Sequence, residues 1–422
     1  MTAPGESASS PSVPPRPGGA GRIIFINRVY WPSTAATAQL LTDLAEGLAA
    51  RGWPVHVIAA GSEPGPRHGV EIHRTGDGEQ HHGLLSRAGN YWRFSRHARR
   101  KLAALARPGD LIVPMTDPPM LGPRITAAAR RRGAAVLPWI QDIYPDIVTA
   151  HMGVLAGLFL WPLRLQRNAA WRSARCCVTV GEEMARTIAR QVGPAGQVAV
   201  VPNWAPRELQ VEADDAAVAA RRAAWGVAGK FIVAYSGNLG RVHEFATILD
   251  AAGRLQARSD LVFLFIGTGA RFDEVRAAAR RRGLDNVRFL PPAPREQLAA
   301  SLAAADVQLV TLKPGFAGLV YPSKLAGALA AGRPVLFVGQ PDGEIARLLA
   351  RGQCGETAPP ADGARMADIL ERWRTDAELR RQLGRCARHA YERHFAFGAA
   401  LQHWSEILAR GAAPGEVRFA LD

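Results

Sequence analysis

Residues 315–348 read GFAGLVYPSKLAGALAAGRPVLFVGQPDGEIARL, running from Gly315 to Leu348. The stretch joins a mobile-looking glycine loop, a Ser-Lys helix start and a buried strand. The Tyr321-Pro322 step favours extended backbone ahead of the helix. Ser323 is placed to cap a helix from Lys324 to about Ala331, Gly332 to stop it, and Pro334 to open an apolar strand ending at Val338. Free N–H groups, a positive helix end and the Lys324 ammonium would then converge, and an anion at that point gains charge-assisted hydrogen bonds. An α/β protein that holds a phosphate is the expectation, and a diphosphate fits it.

The same alternation of short β-rich runs and longer helical patterns extends in both directions. RIIFIN (22–27), PVHVIAA (54–60), DLIVPM (110–115), AAVLPWI (134–140), CCVTV (176–180) and QVAVVP (197–202) form one set. FIVAYSG (231–237), LVFLFIG (261–267), VRFLPP (287–292), VQLVTL (307–312) and PVLFVG (334–339) form a second. Such alternation predicts βαβ units and parallel sheets, so the fold class is α/β with two doubly wound, Rossmann-like domains facing across a cleft. The expected division is a disordered tail over 1–20, a first domain over 21–204, a second over 205–394, and a C-terminal helix over 395–422 that packs back on the first domain. The prolines of 202–206 mark the linker, and Gly398 the bend in the C-terminal helical stretch.

The chain has 422 residues, too many for one ordinary core. Its net charge of +15 favours anionic partners. It has four lysines, at 101, 230, 313 and 324, so 48 of the 52 basic residues are arginine. Against that background a single arginine carries little functional weight and Lys324 more. The four cysteines show no metal-ligand spacing and point to a reducing compartment. Residues 1–20 lack a basic start and an apolar core, which is not a signal-peptide pattern, and no apolar run is long enough to span a bilayer. No recognition helix, zinc finger or RNP-like motif is present, so nucleic acid is not an expected partner.

Further constellations lie at the ends of the expected strands. Gly237-Asn238-Leu239-Gly240-Arg241 follows one: the glycines permit close backbone approach and Arg241 can fork onto phosphate oxygens. The loop reads either as half of an anion clamp opposite Ser323 and Lys324 or as an ordinary tight turn. Gly267-Thr268-Gly269 closes the next strand, either bordering a nucleotide or forming a tight βα loop, and Leu290, in Phe289-Leu290-Pro291 at the end of another, is placed to offer backbone groups to a base. In the first half, Ser33 and Thr34 follow strand one beside the cleft, as a slim loop or as a helix cap. Asp142, after Trp139-Ile140-Gln141, and Asp117, in TDPP, are carboxylates placed either to meet a ligand or to cap a turn. Residues 153–175 mix Phe159 and Trp161 with Arg164 and Arg167: an interfacial membrane helix with arginines on anionic headgroups, or a core-covering one. Residues 84–100, with Tyr91, Trp92 and Phe94 among arginines, form a second basic-aromatic patch.

Taken in order, the first strand through AARGWPVHVIAAG, QDIYPD, VPNWAP, YSGNLGR, and GLVYPSKLAGALAAGRPVLFVG followed by DGEIARL resemble the retaining, group 4 glycosyltransferases of the GT-B fold. Within them they are similar to the WbuB-like enzymes of bacterial surface-polysaccharide synthesis. The resemblance covers about residues 22–410. It implies transfer of a sugar from a nucleotide diphosphate sugar, a UDP-sugar, to a lipid-linked or polysaccharide-precursor acceptor, at the cytoplasmic face of the plasma membrane and with anionic membrane as a partner. Arg241 and Lys324 would neutralise the leaving diphosphate without a metal or other cofactor. Gly237, Asn238, Gly240, Gly267, Gly269, Leu290, Tyr321 and Ser323 would line the donor, Asp142 would serve catalysis, and Ser33, Thr34 and Asp117 the acceptor side. Many relatives carry two glutamates separated by seven intervening residues; here those positions are Leu319 and Gly327, and Glu344 is a candidate substitute. Two alternatives stand beside this one: a GT-B sugar-nucleotide epimerase, for which His243 and Glu244 are the suggestive pair, and a non-catalytic membrane- or anion-binding subunit.

Overall fold

A computed structural model describes residues 21–62, 65–77, 84–193 and 197–410. The expected tail, residues 1–20, lies outside them. The contacts group the described residues into two compact units, 21–137 with 401–410, and 138–400.

In the first unit β1 (Ile23–Ile26), β2 (Val55–Ala59), β3 (Val70–Arg74), β4 (Leu111–Pro114) and β5 (Ala135–Val136) form one parallel sheet in the order β3-β2-β1-β4-β5. Every residue of β1, β2 and β4 is buried, as expected when helices cover both faces. β3 is a half-exposed edge strand of mixed polarity, which is why no apolar run announced it. The chain runs outward from β1 to β3 and returns to β4, so the strand order reverses between β1 and β4.

The second unit holds β6 (Trp139–Ile140), β7 (Cys177–Thr179) and β8 (Val198–Val200) in a small parallel sheet. Its main sheet comprises β9 (Phe231–Ser236), β10 (Leu261–Ile266), β11 (Val287–Leu290), β12 (Val307–Thr311), β13 (Val335–Val338) and β14 (Gly355–Ala358), in the order β11-β10-β9-β12-β13-β14 and all parallel. Here the order reverses between β9 and β12.

The expected strand over 134–140 is two strands in two sheets. Leu137 N donates to Ile112 O in the first sheet (2.8 Å), whereas Pro138, which has no N–H, presents its carbonyl to Val178 N (2.9 Å) in the second. Residues 138–204 thus group with the second unit, and the division falls well before the prolines of 202–206. Those prolines flank a buried junction: Gln141 and Asn203 exchange two amide hydrogen bonds (3.1 and 2.7 Å), and Trp204 stacks on Trp139.

The C-terminal helices run Gly363–Thr375, Ala377–His394 and Phe397–Arg410. Asp362 and Asp376 cap the first two, accepting from Arg365 N and Leu379 N (2.9 Å each). The break comes at Phe395-Ala396, while Gly398 lies inside the last helix. Burial of Phe395 and the packing of Phe397 against Trp204, 5.3 Å between ring centroids, decide its place. Further along, Trp404 meets Phe25 edge-on at 6.4 Å and Ser405 accepts from Arg51.

Candidate functional site

In doubly wound sheets ligands bind beyond the carboxyl ends of the strands, where the strand order reverses. In the second unit that point lies between β9 and β12, and the Gly237–Arg241 loop and Lys324 meet there. Lys324 Nζ donates to Asn238 O (3.0 Å) and to His243 Nε2 (3.3 Å), and stands 4.9 Å from the centre of the Tyr235 ring. Tyr235 Oη donates to the same Asn238 carbonyl (2.9 Å). His243 Nδ1 lies 2.7 Å from Thr311 O, so that nitrogen carries the hydrogen and Nε2 faces the ammonium with its lone pair.

Burial lowers the Lys324 pKa to about 8. His243 is lowered to about 3, by burial first and then by Lys324, and is neutral. Arg241 is exposed and makes no ion pair among the described residues; its carbonyl accepts from Lys313 Nζ (2.9 Å). This strand end therefore presents cations with few carboxylates to satisfy them.

Backbone crowding makes the glycines necessary. Gly237 (φ +123°) leaves room for Lys324, since a Cβ there would stand 2.8 Å from Lys324 Cε. Gly267 (φ +149°) passes so close to Gly237 that a Cβ would lie 2.1 Å from its carbonyl oxygen. Gly269 crowds Asn238 and Leu239 in the same way, and a Cβ on Gly240 would stand 3.3 Å from Asn238 Nδ2. Leu290 O accepts from Gly267 N (3.0 Å), which ties the end of β11 into the same cluster. Tyr235, His243, Thr311 and Lys313 complete the site. Of these the sequence had marked His243, beside Glu244; Thr311 reaches His243, and Lys313 the Arg241 carbonyl, from β12 and the loop after it, contacts that no local pattern announces.

The helix Lys324–Ala330 starts where expected, but Ser323 is in helical conformation and its side chain makes no cap bond. The residue is exposed. The glycine loop before it is pinned. Ile143 N donates to Leu319 O (2.9 Å), Asp142 bridges to Val320, and Gly318 sits against Thr187 and Glu183. Tyr321 packs on Gly181, where a Cβ would lie 2.6 Å from its ring. Asp142 thus reaches the loop through its backbone.

Glu344 has a task that the sequence did not announce. Its carboxylate accepts from Glu183 N (2.9 Å), while Glu344 N donates to the Glu183 carboxylate (2.8 Å). Two helices, Glu182–Val192 and Glu344–Arg351, so exchange acids at their positive ends. Burial raises the Glu344 pKa to about 7 against the pull of those backbone donors. A carboxylate held this way caps the neighbouring helix. Leu319 packs beside Ile140 and Ile143. A side chain at Gly327 would meet Leu209 and Leu302 at 3.5 and 3.7 Å, an apolar surround. His243 and Glu244 are also occupied, the latter accepting from Ala246 N and Thr247 N at a helix start.

In the first unit the reversal point between β1 and β4 carries Arg28 and Asp117 in a two-pronged pair, both contacts 3.0 Å. Burial raises the Asp117 pKa while Arg28 opposes the rise. Ser33 Oγ accepts weakly from Ala35 N (3.5 Å), and Thr34 O accepts from Gln39 Nε2 (2.8 Å). The following helix, Ala36–Ala50, has no side-chain cap.

The helix Val154–Arg172 divides into two halves. Leu155 is 74% exposed, Phe159 86% and Trp161 56%, with Val154 and Leu158 beside them. Arg167, expected on headgroups, is instead 3% exposed. It is bound to Asp146, Tyr144 O, Asn168 and Gln191, with its guanidinium over the Trp171 ring. Arg164 also pairs with Asp146 (3.1 Å). In the helix Leu84–Leu105, Phe94 is core, Tyr91 lies under Arg28, and Trp92 is exposed. The side chain of Arg87 lies outside the described ones. No helix among the described residues is long and apolar enough to cross a membrane.

A cavity of about 550 Å³, lined in part by Asp306, Arg333 and Arg388, lies at the opposite, amino ends of β12 and β13. None of the expected site residues lines it.

Residues 36–204 match the Glycosyl transferase 4-like domain family, and residues 219–390 the Glycosyl transferases group 1 family. The "Probable glycosyltransferase WbjE" of Pseudomonas aeruginosa is 28% identical over 274 residues, 64% of this chain and 68% of that protein. WcaI of Escherichia coli strain K12, whose name refers to colanic acid biosynthesis, is 31% identical over 171 residues, 40% of this chain and 42% of WcaI. Among solved structures, HepE of Anabaena in complex with UDP superposes with a TM-score of 0.69 at 17% identity, covering 92% of this chain and all of that one. With two parallel-sheet α/β domains and family matches over most of its length, the chain belongs to the GT-B glycosyltransferases of the group 4 type.

Proposed function

We propose that this chain transfers a sugar, with retention at the anomeric carbon, from a UDP-sugar to a lipid-linked precursor of a surface polysaccharide. The observation that carries the reading is the half-desolvated Lys324 ammonium at the reversal point of the main sheet, hydrogen-bonded to the loop that carries the exposed Arg241, where the glycine backbones after β9 and β10 pass close together. Cations that meet the leaving diphosphate in a partly dry site stabilise the charge that develops as the glycosidic bond breaks, and no metal is needed for that. The incoming hydroxyl would add on the face that the diphosphate leaves, through an oxocarbenium-like state without a protein nucleophile.

In this reading Ser323 and nearby amides bind diphosphate oxygens, the turn from Gly267 to Gly269 borders the nucleoside, and Asp142 and Tyr321 shape the sugar end. Ser33, Thr34 and Asp117 serve the acceptor. The exposed face of Val154, Leu155, Leu158, Phe159 and Trp161 rests on the cytoplasmic surface of the plasma membrane, where a lipid-linked acceptor is found. UDP in HepE and the colanic acid pathway in the name of WcaI support donor and setting.

The direct experiment screens UDP-, GDP- and dTDP-sugars by thermal shift, because a ligand bound only by the folded chain raises its melting temperature. Turnover is then assayed with the donor that binds, in wild type and in Lys324→Ala. A shift with UDP-sugars and transfer lost in the variant support the reading. A chain that binds no nucleotide sugar yet sediments with anionic vesicles would be a binding subunit instead.

A further inference from the structure

We propose that His56, Glu71 and His73 form a transition-metal site of the zinc type that fastens the edge strand β3 to β2. The parallel register sets His56 beside Glu71, and His73, two residues further along β3, shares the face of Glu71. His56 Nδ1 lies 3.1 Å from His73 Nε2 and 3.1 Å from Glu71 Oε2, and the remaining edge of the triangle is 4.0 Å. Tetrahedral ligands at zinc distances stand roughly 3.3 Å apart, a value these three edges bracket. Among the described residues this is the one group of three whose ligand atoms converge so closely.

The convergence has a chemical consequence. A neutral His56 Nδ1 carries one hydrogen or one lone pair, so it satisfies one of its two polar neighbours at a time. A cation at the centre of the triangle satisfies all three lone pairs together. Two imidazoles with one carboxylate suit Zn²⁺, Co²⁺ or Ni²⁺ better than Mg²⁺ or Ca²⁺. His56 is 7% exposed and Glu71 64%, which gives the site a buried anchor and an open approach for the ion and for a water as fourth ligand. The nearby Arg22 is neutralised by its two-pronged contact with Asp110 (3.1 and 2.7 Å).

His56 and Glu71 are each the second residue of their strands and His73 is the fourth of β3, so the trio lies along the β2–β3 edge, away from the reversal point between β1 and β4. Its effect is structural: a metal that binds only the folded pairing of β2 with β3 stabilises that pairing and holds an otherwise open sheet edge.

The test uses the full-length, tag-free, metal-stripped chain titrated with Co²⁺. The expected result is a visible d–d band that saturates at one equivalent and is displaced by Zn²⁺, with a rise in melting temperature on adding Zn²⁺. His73→Gln should lose the band and the thermal response, and Glu71→Gln should weaken Co²⁺ binding. Both side chains are partly exposed, so circular dichroism of the metal-free variants should match wild type even if His56→Gln fails to fold. No saturable band in the wild type, or an unchanged band in His73→Gln, overturns the site.

Discussion

Lys324 Nζ donates to the carbonyl oxygen of Asn238 across 3.0 Å, which joins the start of one helix to the loop after β9 over the point where the strand order reverses. A second hydrogen of the ammonium goes to the neutral His243, and the charge has no carboxylate contact among the described residues. A cation in this state gains more from an arriving anion than one already paired on the surface.

Removing that charge should cost chemistry more than stability. Lys324→Ala is expected to lower kcat by about 100-fold or more, the scale seen when a preorganised charge-stabilising group is lost. Its melting temperature should hold or rise, since a desolvated cation has gone. Steady-state kinetics beside a thermal melt decide the point, and turnover close to wild type would remove Lys324 from the mechanism.

The pH dependence follows from burial. Lys324 titrates at about 8 in the free chain, down from 10.5. The native state therefore binds fewer protons than the unfolded one between those values, and this group makes stability rise with pH there. Binding runs the other way: kcat/KM should fall as pH rises through about 8, and UDP binding near that pH should take up protons because the diphosphate favours the ammonium. Calorimetry in buffers of different ionisation enthalpy reads the uptake directly, and proton release would contradict the assignment.

Glu344 offers the opposite sign. Its folded value of about 7 lies above the ordinary 4.5, so the native state holds a proton that the unfolded chain releases. Stability from this group falls as pH rises from about 4.5 to 7. Glu344→Gln should flatten that slope and leave transfer intact, while Glu344→Ala should cost about 1 kcal/mol through the lost cap. Denaturant melts at several pH values measure both, and a large loss of activity in the Gln variant would return Glu344 to the donor site.

Gly267→Ala should be among the most damaging small substitutions in the second unit. The new methyl would meet the Gly237 carbonyl at 2.1 Å in a backbone conformation that disfavours side chains. A loss of about 1–3 kcal/mol is expected from overpacking. Urea unfolding of the variant would show it as a shifted midpoint.

On the helix Val154–Arg172, the exposed and buried halves should respond differently. Phe159→Ser with Trp161→Ser should reduce sedimentation with anionic vesicles at unchanged stability. Arg167→Ala should cost about 3 kcal/mol, because Asp146 loses a buried partner. Vesicle binding that survives the double serine variant would leave the apolar face without a membrane role.

The sequence by itself determined the parallel sheets, the strand ends with their glycine turns, and the Ser-Lys helix start, because each is a local pattern: apolar runs, residues free to adopt positive φ, and a proline that ends extended backbone. It could not divide AAVLPWI between two sheets, since Leu137 pairs with Ile112 and Pro138 with Val178, partners that no local pattern announces. Nor could it tell a surface arginine from Arg167, or show that Glu344 caps the helix that begins at Glu182. In each case the deciding partner lies 20 or more residues away: Asp146 for Arg167, and Glu183 for Glu344. Tertiary structure alone settled which charges are desolvated and which are already spent on a neighbour. It left Lys324 poised at the sheet reversal and brought two histidines and a glutamate together on an edge that the sequence had not marked as a strand.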